Sequence, residues 1–401
     1  MGVILMSLQD FKQRAKSAIM QLRRETAKKV FIVHHDDADG LCSAAIVKRA
    51  LEREGVSVET FCLEKVYTEV IADMHSKEGL TFFYVDIGSS HADLISELNR
   101  GRNLTIILDH HDPKPSSDPK VFDLNLEHLG FKGETDFSGA TCCYLFAKEL
   151  SEQNSDLSYL AITGSCEIPE GFKSINELVL KEALEKAVIQ KKGRNLEIPR
   201  LNVKVDALFS KLQVLGAVGY YEGGPDMGIK ACLDGINGAV EVKIKVLEER
   251  RKEVNRMLLG KLYREGLKET EHIQWFDAGD MYKGMGTKVI GQFCSFLSYQ
   301  ARLIKPNKYI LGFVNVPRDI PKWGKLKEKF VKASMRVPKQ LQRMIDAGEM
   351  PGAVNLLEKA SETFGVADGH QYAANVVLPE DKKFMLLENA EHAILQRKTK
   401  G

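Results

Sequence analysis

The chain has 401 residues and a formal net charge of +2, and 44% of its residues are hydrophobic against 28% charged. These values exclude a disordered or fibrous protein and predict two or three globular domains. The small net charge excludes nucleic-acid binding through overall charge, so any such binding must come from local basic patches. No apolar run is long enough to span a bilayer, and seven scattered cysteines without a Cys-x-x-Cys pair predict a reduced, cytoplasmic protein.

The first part of the chain alternates between predicted helices and predicted strands. Residues 7–27 carry apolar side chains at helical spacing, which predicts an amphipathic leading helix. Four apolar runs predict buried strands, at 30–33, 56–62, 81–86 and 104–108. Two helical patterns separate some of these runs, at 41–54 and 92–99, with Gly40 predicted at the turn before the first helix. Such an alternation predicts an α/β fold with a doubly wound parallel sheet.

Acidic and imidazole side chains follow three of these strands. The groups are His35, Asp37 and Asp39, then Asp86, then Asp109, His110 and His111. The alternation in the first group predicts a nearly extended backbone that points all three side chains the same way. Since the carboxyl ends of parallel strands share one edge of a sheet, we expect the three groups to converge there.

Carboxylates crowded in this way repel one another unless cations neutralise them, so the sequence predicts a divalent metal site. The alternative for any single group is a solvated acidic loop, and three groups in register make that interpretation the weaker one. Carboxylates with imidazoles favour Mn²⁺, Zn²⁺ or Fe²⁺ over Ca²⁺ or an all-oxygen Mg²⁺ site. A cluster this rich suggests two ions about 3.5–4 Å apart, an arrangement that serves phosphoester hydrolysis.

The residues at the strand ends resemble a known family. Asp37-Ala38-Asp39-Gly40, Asp86 and Asp109-His110-His111 resemble motifs I, II and III of the DHH phosphoesterase superfamily in order and spacing. The family's fourth motif is an acid after a later apolar helix, and the expected aspartate is missing here. Glu167 lies at or one residue from that position and is the candidate that replaces it.

The resemblance implies a role for each of these residues. We expect His35, Asp37 and Asp86 to hold one ion. The second ion is expected between Asp39, Asp86 and His110, with Glu167 as a further ligand. The resemblance also implies that His111 contacts the scissile phosphate and that Asp109 orients the imidazoles. The implied ions are two divalent cations, Mn²⁺ or, in its place, Mg²⁺.

The rest of the chain predicts a long helix and a second α/β unit. The helix is predicted at 239–270, and the unit has strand patterns at 273–276, 309–314 and 330–335 with a helix at 287–303. Gly369-His370, with Ala373 and Ala374, resembles the Gly-Gly-Gly-His-x-x-Ala-Ala signature of the DHHA1 domain. Ser334-Met335-Arg336 resembles a Ser-x-Arg substrate segment of the same domain. Residues 322–343, which include Lys332, are basic and hold aromatic residues, which suits a single-stranded backbone with stacked bases; a basic helix face without a ligand is the alternative.

The resemblance divides the chain into four parts. They are a leading helix (1–27), a DHH catalytic domain (28–236), a connector helix (237–270) and a smaller α/β DHHA1 substrate-binding domain (271–401). Ser334, Arg336, Gly369, His370 and Lys332 are the expected substrate-binding residues.

The implied function is that of a two-metal exonuclease on single-stranded nucleic acid, DNA first and RNA also, in DNA repair or replication. The two-domain arrangement with a long connector resembles that of the archaeal RecJ-like nucleases, near the Hef-associated type. A phosphodiesterase for oligoribonucleotides or cyclic dinucleotides is one alternative, and a catalytically weakened Cdc45-like scaffold is another. The resemblance is also compatible with a homo-oligomer and with a helicase of DNA repair or replication as a partner. No association with a membrane is expected.

Overall fold

The computed structural model describes residues 2–25, 29–168 and 171–398. The chain divides between Ile244 and Lys245 into two compact units. The boundary predicted between residues 27 and 28 lies outside the described residues, as does the chain end at 399–401. No described helix is both long and apolar enough to cross a membrane.

Fourteen helices have been assigned within the described residues. They are α1 Gly2–Arg24, α2 Ala38–Arg53, α3 Thr68–Met74, α4 Ala92–Asn99, α5 Gly139–Leu150, α6 Ser158–Gly164, α7 Ser174–Glu185, α8 Val205–Gln213, α9 Gly224–Asp234, α10 Gly238–Glu265, α11 Lys288–Leu297, α12 Lys339–Asp346, α13 Ala353–Ser361 and α14 Lys383–Lys398.

The described residues also form sixteen strands. They are β1 Lys29–His34, β2 Ser57–Cys62, β3 Thr81–Val85, β4 Leu104–Leu108, β5 Val121–Asp123, β6 Gln190–Lys192, β7 Asn195–Ile198, β8 Val203–Lys204, β9 Lys268–Glu269, β10 Ile273–Asp277, β11 Tyr309–Val316, β12 Asp319–Ile320, β13 Gly324–Lys325, β14 Phe330–Arg336, β15 Val366–His370 and β16 Ala373–Pro379.

A five-stranded sheet in the order β2-β1-β3-β4-β5 is the centre of the first unit. All its pairs are parallel, which confirms the predicted α/β fold. Every residue of β3 and β4 is buried, so their continuous apolar runs are those of strands covered on both faces. The edge strand β5 was not predicted, because three residues are too few to show a pattern.

Helix α2 begins earlier than the sequence pattern indicated. Its first residue is Ala38, and Asp37 is the N-cap, with a side chain that accepts a hydrogen bond from the Gly40 N–H at 2.8 Å. The prediction of an extended backbone through Asp39 was therefore wrong, because the extended segment ends at the cap Asp37 and the helix begins at Ala38. Gly40 lies in the first helical turn, where an added Cβ would come within 2.5 Å of the His35 carbonyl oxygen.

The second unit contains a six-stranded sheet in the order β15-β16-β14-β11-β10-β9. One face carries a buried apolar cluster shared with α12, α13 and α14, including Met335 from β14. Helix α11 packs on the opposite face, where an added Cβ at Gly312 would come within 2.6 Å of the Cys294 Sγ. Strand residues alternate between these faces, so Ser334 and Arg336 lie on the face away from the apolar cluster.

Candidate metal centre

Three neighbouring strands deliver the candidate ligands to one edge of the first sheet. In the parallel register His34 pairs with Val85, and Val85 pairs with Leu108. The residues that follow these three positions are His35, Asp86 and Asp109, so they lie side by side where the strands end. The structure thus brings together the three groups that the sequence placed on separate strands.

Asp86 occupies the middle of this row in an unusual environment. Its backbone has a φ of +57°, a left-handed conformation that is uncommon for residues other than glycine, although Asn and Asp adopt it more often than the rest. Its carboxylate is buried, and Oδ1 has no hydrogen-bond partner within the described ranges. The closest basic atoms are His110 Nε2 at 3.4 Å from Oδ1 and His35 Nδ1 at 3.6 Å from Oδ2.

Electrostatics explain why this carboxylate needs a cation. Burial raises the pKa of Asp86 well above its ordinary value, and the nearby charges of Asp39, Asp37 and Asp109 raise it further. A buried, unpartnered carboxylate oxygen costs free energy that a bound cation would recover. The local backbone strain and the unsatisfied oxygen at one residue together point to a binding function.

A first ligand set consists of His35, Asp37 and Asp86, all buried. One ligand atom from each lies within 4.8 Å of the others. His35 Nδ1 is 2.9 Å from Asp37 Oδ2. Because the other oxygen of Asp37 caps helix α2, the orientation of this carboxylate is fixed before any ion binds.

A second ligand set consists of Asp86, His110 and His111, again with one ligand atom each within 4.8 Å. Asp39, which the sequence assigned to this ion, lies at its margin, with Oδ2 3.9 Å from His110 Nε2. The two oxygens of Asp39 accept hydrogen bonds from the backbone N–H groups of Gly139 at 2.8 Å and Ala140 at 2.9 Å. Burial raises the pKa of Asp39, while His110 acts in the opposite direction.

His110 is held in one orientation by the protein backbone. Its Nδ1 lies 2.8 Å from the Gly133 carbonyl oxygen, and we assign the ring proton to this nitrogen because a carbonyl can only accept. Nε2 is then left to face Asp86 as a potential ligand atom. Burial by itself would lower the pKa of His110, but Asp39 and Asp109 outweigh it and raise that pKa.

Asp109 supports the imidazoles and belongs to neither ligand set. Its Oδ1 is 2.7 Å from His111 Nδ1 and accepts the His110 N–H, and its Oδ2 accepts the Ser89 N–H at 2.9 Å. Burial would raise the pKa of Asp109, but His111 and these hydrogen bonds bring it well below its ordinary value. Asp109 is therefore a charged group that fixes the position of His111.

Two glycines that the sequence analysis missed complete the site. An added Cβ at Gly139 would lie 2.4 Å from Asp86 Oδ1, and one at Gly164 would lie 2.2 Å from Asp39 Oδ1. Both carboxylates therefore lie against bare backbone at the ends of α5 and α6. The only sequence signal was the small-residue run Ser138-Gly139-Ala140-Thr141, in which Ser138 is the N-cap of α5.

We predict that Gly164→Ala weakens Mn²⁺ binding by displacing the Asp39 carboxylate. Overpacking of this kind typically costs about 1–3 kcal/mol, or roughly tenfold to a hundredfold in affinity. Isothermal titration with Mn²⁺ measures the change. Gly238→Ala is the matched control, because nothing lies within 4 Å of an added Cβ there. Equal affinity in the two variants would contradict the close packing at Asp39.

Glu167 lies apart from both ligand sets. It ends the short 3₁₀ turn Ser165–Glu167, its side chain is exposed, and Gln213 Nε2 is 3.5 Å from its Oε2. Its charge still contributes to the raised pKa of Asp86, so it is a near neighbour of the site. The buried hydroxyl of Ser165 instead bonds to Ser138 and Thr141 behind the ligands.

From this position we predict only a small effect of Glu167→Ala on Mn²⁺ affinity, below about tenfold. Exposed charges of this kind contribute roughly 0.2–1 kcal/mol. The titration used for Gly164→Ala measures it. A hundredfold loss that Glu167→Asp restores would mean that this side chain turns inward and binds the second ion, as the sequence suggested.

The candidate substrate residues of the second unit lie on adjoining strands. Arg336 of β14 and His370 of β15 both pair with Ala373 of the strand between them, so they share one face of the sheet. His370 is exposed, and Gly369 has a φ of +128° with no room for a Cβ beside the Ala373 carbonyl oxygen. Ser334 lies on the same face and donates to Asn375 Oδ1 at 2.6 Å.

Arg336 is a partly buried cation in this unit. Its Nε donates to Ser295 Oγ at 2.9 Å and its Nη1 to the Met335 carbonyl at 2.8 Å. Burial lowers the pKa of the guanidinium, and no described carboxylate forms an ion pair with it. Lys332, which precedes it on the same face of β14, is only 2% exposed.

The basic segment 322–343 does not form one helix face. It is distributed over the β12–β13 hairpin, strand β14 and helix α12. Lys325, Lys327 and Lys329 are exposed, whereas Lys332 is buried. Within this segment, the exposed lysines that precede β14 are therefore the basic side chains that remain candidates for contact with a nucleic-acid strand.

Fold and site together define a class: a parallel α/β domain whose strand ends carry a buried cluster of carboxylates and imidazoles. Residues 29–164 match the family model described as the DHH family, N-terminal domain. The part of the chain that builds the candidate metal centre thus matches the DHH-family N-terminal domain.

The chain is also similar to one protein in sequence and to solved structures in fold. Over 139 residues the chain is 32% identical to the uncharacterized protein MJ0831 of Methanocaldococcus jannaschii, a stretch that is 33% of this chain and 31% of that protein. RecJ of Thermus thermophilus, solved in complex with Mn²⁺, has a TM-score of 0.64 and 18% identity, over 96% of this chain and 55% of that chain. An exonuclease RecJ bound to manganese has a TM-score of 0.61 and 17% identity, over 96% and 94% of the two chains. At these identities the likeness to RecJ shows the fold alone, and the chain spans about a third of MJ0831 and about half of the Thermus RecJ chain.

Proposed function

We propose that this protein is a metal-dependent exonuclease that hydrolyses phosphodiester bonds of single-stranded nucleic acid, DNA first and RNA also, from an end. The observation that carries the proposal is the pair of ligand sets that share Asp86. Two cations that share a carboxylate are a common arrangement for in-line displacement at phosphorus.

The residues present fit divalent cations. The donor set is mixed carboxylate and imidazole, which suits Mn²⁺ better than Ca²⁺. The unpartnered Asp86 Oδ1 and the absence of a Cβ at Gly139 and Gly164 leave the carboxylate oxygens accessible to an ion. His35, Asp37 and Asp86 would hold one ion. Asp86 and His110, with Asp39 beside them, would hold the other.

Bound cations would lower the pKa of a water molecule and neutralise charge on the phosphate. The chain contributes the positions of the other groups. His111 donates Nδ1–H to Asp109, and its side chain is 39% exposed, against 18% for His110. Asp109 holds the ring at Nδ1, which leaves Nε2 to face a phosphate oxygen. We therefore assign His111 to the scissile phosphate and not to the second ion, whose proposed ligands are then Asp86 and His110 with Asp39 beside them.

The second unit supplies groups suited to the substrate. A partly buried guanidinium without an acidic partner, such as Arg336, is satisfied by a phosphate. His370 and Ser334 lie on the same sheet face as Arg336, where their side chains can contact a nucleotide, and Gly369 directly precedes His370. We propose that these residues, together with the exposed lysines that precede β14, bind the strand.

Two other functions follow from specific observations. The compact set around Arg336 would also suit a short substrate, so a phosphodiesterase for oligoribonucleotides or cyclic dinucleotides is the second candidate. The exposure of Glu167, which leaves the second ion with fewer ligands, favours a Cdc45-like scaffold. We rank both alternatives below the exonuclease, because the structure contains the two ligand sets that a two-metal nuclease requires.

The test is hydrolysis of a twenty-nucleotide strand labelled at each end in turn, with Mn²⁺ and with EDTA. We expect stepwise shortening from one end in Mn²⁺ only. On a denaturing gel, comparison of the two labelled strands also gives the direction of digestion. Cleavage confined to a dinucleotide or a cyclic dinucleotide would support the second candidate. Strand binding without any cleavage would support the scaffold.

We also propose, on the sequence resemblance alone, that the protein is of the archaeal RecJ-like type, near the Hef-associated nucleases. A helicase of DNA repair or replication and a second copy of the chain are the proposed protein partners. The proposed location is the cytoplasm, where the seven cysteines, none of which forms a disulfide, would stay reduced.

A further inference from the structure

Three large aromatic side chains are exposed at the C-terminal end of α11 and beside it. Tyr299 is 85% exposed, Tyr263 is 50% exposed and Phe296 is 44% exposed. The Tyr263 hydroxyl donates to the Gln300 side chain at 3.5 Å, which brings the end of α10 next to the segment after α11. We call Tyr263, Phe296 and Tyr299 the aromatic patch.

The aromatic patch adjoins the residue that holds Arg336. Ser295, whose hydroxyl accepts the hydrogen bond from Arg336 Nε at 2.9 Å, directly precedes Phe296. Tyr299 follows Ser295 by four residues, and its N–H donates to the Phe296 carbonyl at 3.2 Å in a tight turn. The patch thus begins at the residue that follows Ser295, the group that positions Arg336.

The chain segments that carry Tyr263 and Tyr299 are basic. Segments 261–269 and 299–308 contain six Lys or Arg residues against two Glu. One of the two acids, Glu269, is already paired with Lys305 and Lys308. Arg302 and Arg264 form no ion pair with any described residue. A basic surface with exposed rings is complementary to a polyanion that has aromatic faces, and it disfavours contact with a second copy of itself.

We propose that the aromatic patch stacks the bases of the strand that extends from a phosphate bound by Arg336. This inference rests on the proposed function, since it assumes a single-stranded nucleic acid at Arg336. Stacking on a protein ring tolerates any base, because every base has a π face. The patch therefore adds affinity for long strands over dinucleotides, without selecting a sequence.

Fluorescence anisotropy of a labelled phosphorothioate twenty-nucleotide strand tests the proposal in the full-length protein. We expect Tyr299→Ala to weaken binding roughly tenfold, and the double variant with Phe296→Ala to weaken it further. An abasic strand of the same length separates stacking from charge: the parent should prefer the strand with bases, and the variants should lose that preference. Phe384→Ala is the matched control, because Phe384 is 61% exposed on α14 in the same unit and lies outside the patch.

Tyr299→Trp gives a second readout that survives a folding defect in the alanine variants. Its emission should be quenched by the strand with bases and not by the abasic strand, relative to the parent protein with its two tryptophans. Equal binding of both strands by the parent and Tyr299→Ala would overturn the proposal. So would a change of oligomeric state in light scattering without a change in strand binding, since the patch would then join two copies.

Failure of the proposed function gives a different result. In that case the parent protein neither binds nor shortens any strand, whatever residue stands at 299. If only the stacking inference fails, the parent binds and shortens strands, and the patch variants do so equally well.

Discussion

Replacing Asp86 by asparagine is expected to abolish Mn²⁺ binding and hydrolysis together. Both ligand sets contain this carboxylate, so neither ion keeps its full set of ligands. Metal ions contribute several kcal/mol to such reactions, which corresponds to a loss of about a thousandfold or more. Asparagine has nearly the same volume and tolerates the left-handed backbone at φ +57°.

The same variant has a readout that does not depend on activity. In EDTA, Asp86→Asn should melt at the same temperature as the parent or higher, because it removes a buried charge that Asp37 and Asp39 repel. In Mn²⁺ the parent should gain stability, about 2.7 kcal/mol at a hundredfold excess over Kd, and the variant should gain nothing.

Asp118→Asn is the control for losing a buried carboxylate elsewhere in the first unit. Asp118 accepts hydrogen bonds from Asn99 and Gly101 and belongs to neither ligand set. The Asp118→Asn substitution should lower the melting temperature and leave Mn²⁺ binding intact. A metal-induced rise in the melting temperature of Asp86→Asn equal to that of the parent would contradict the shared ligand.

The second large effect is expected at His111. His111→Ala should lower kcat about a hundredfold or more with little change in KM, because its contact with phosphate strengthens in the transition state. Arg336→Ala should instead raise KM on long strands and leave Mn²⁺ binding intact. Raised salt should reproduce the arginine defect and not the histidine defect, because counterion release acts on contacts to the phosphate backbone.

His128→Ala is the control for His111→Ala. His128 Nε2 lies 3.0 Å from Asp123 Oδ2 and belongs to neither ligand set, so its loss should leave kcat unchanged. Steady-state kinetics on the same labelled strand measure all three variants. If His111→Ala and Arg336→Ala give one and the same kinetic defect, chemistry and binding are not divided between these residues as proposed.

The strand ends could be predicted because two simple constraints act there. Strands covered on both faces are apolar throughout, so β3 and β4 are visible as continuous runs that stop at an acid. Parallel pairing then places the ends of β1, β3 and β4 at one edge, whatever the exact register. Asp86 and Asp109 were located from these two facts alone.

The supporting groups could not be predicted, because they come from distant parts of the chain. Gly139 and Gly164 lie against Asp86 and Asp39 only after α5 and α6 have packed on α2. The start of α2 was misplaced because the Asp37 side chain acts as a cap, which an alternating pattern does not reveal. Likewise, only the strand register shows that Arg336 and His370 face the same way.

The most direct test of the metal centre is anomalous diffraction from a crystal of this protein grown with Mn²⁺. We expect two peaks about 3.5–4 Å apart, one beside His35 and Asp37 and one beside His110, with Asp86 in contact with both. A single peak, or peaks that avoid Asp86, would contradict the account.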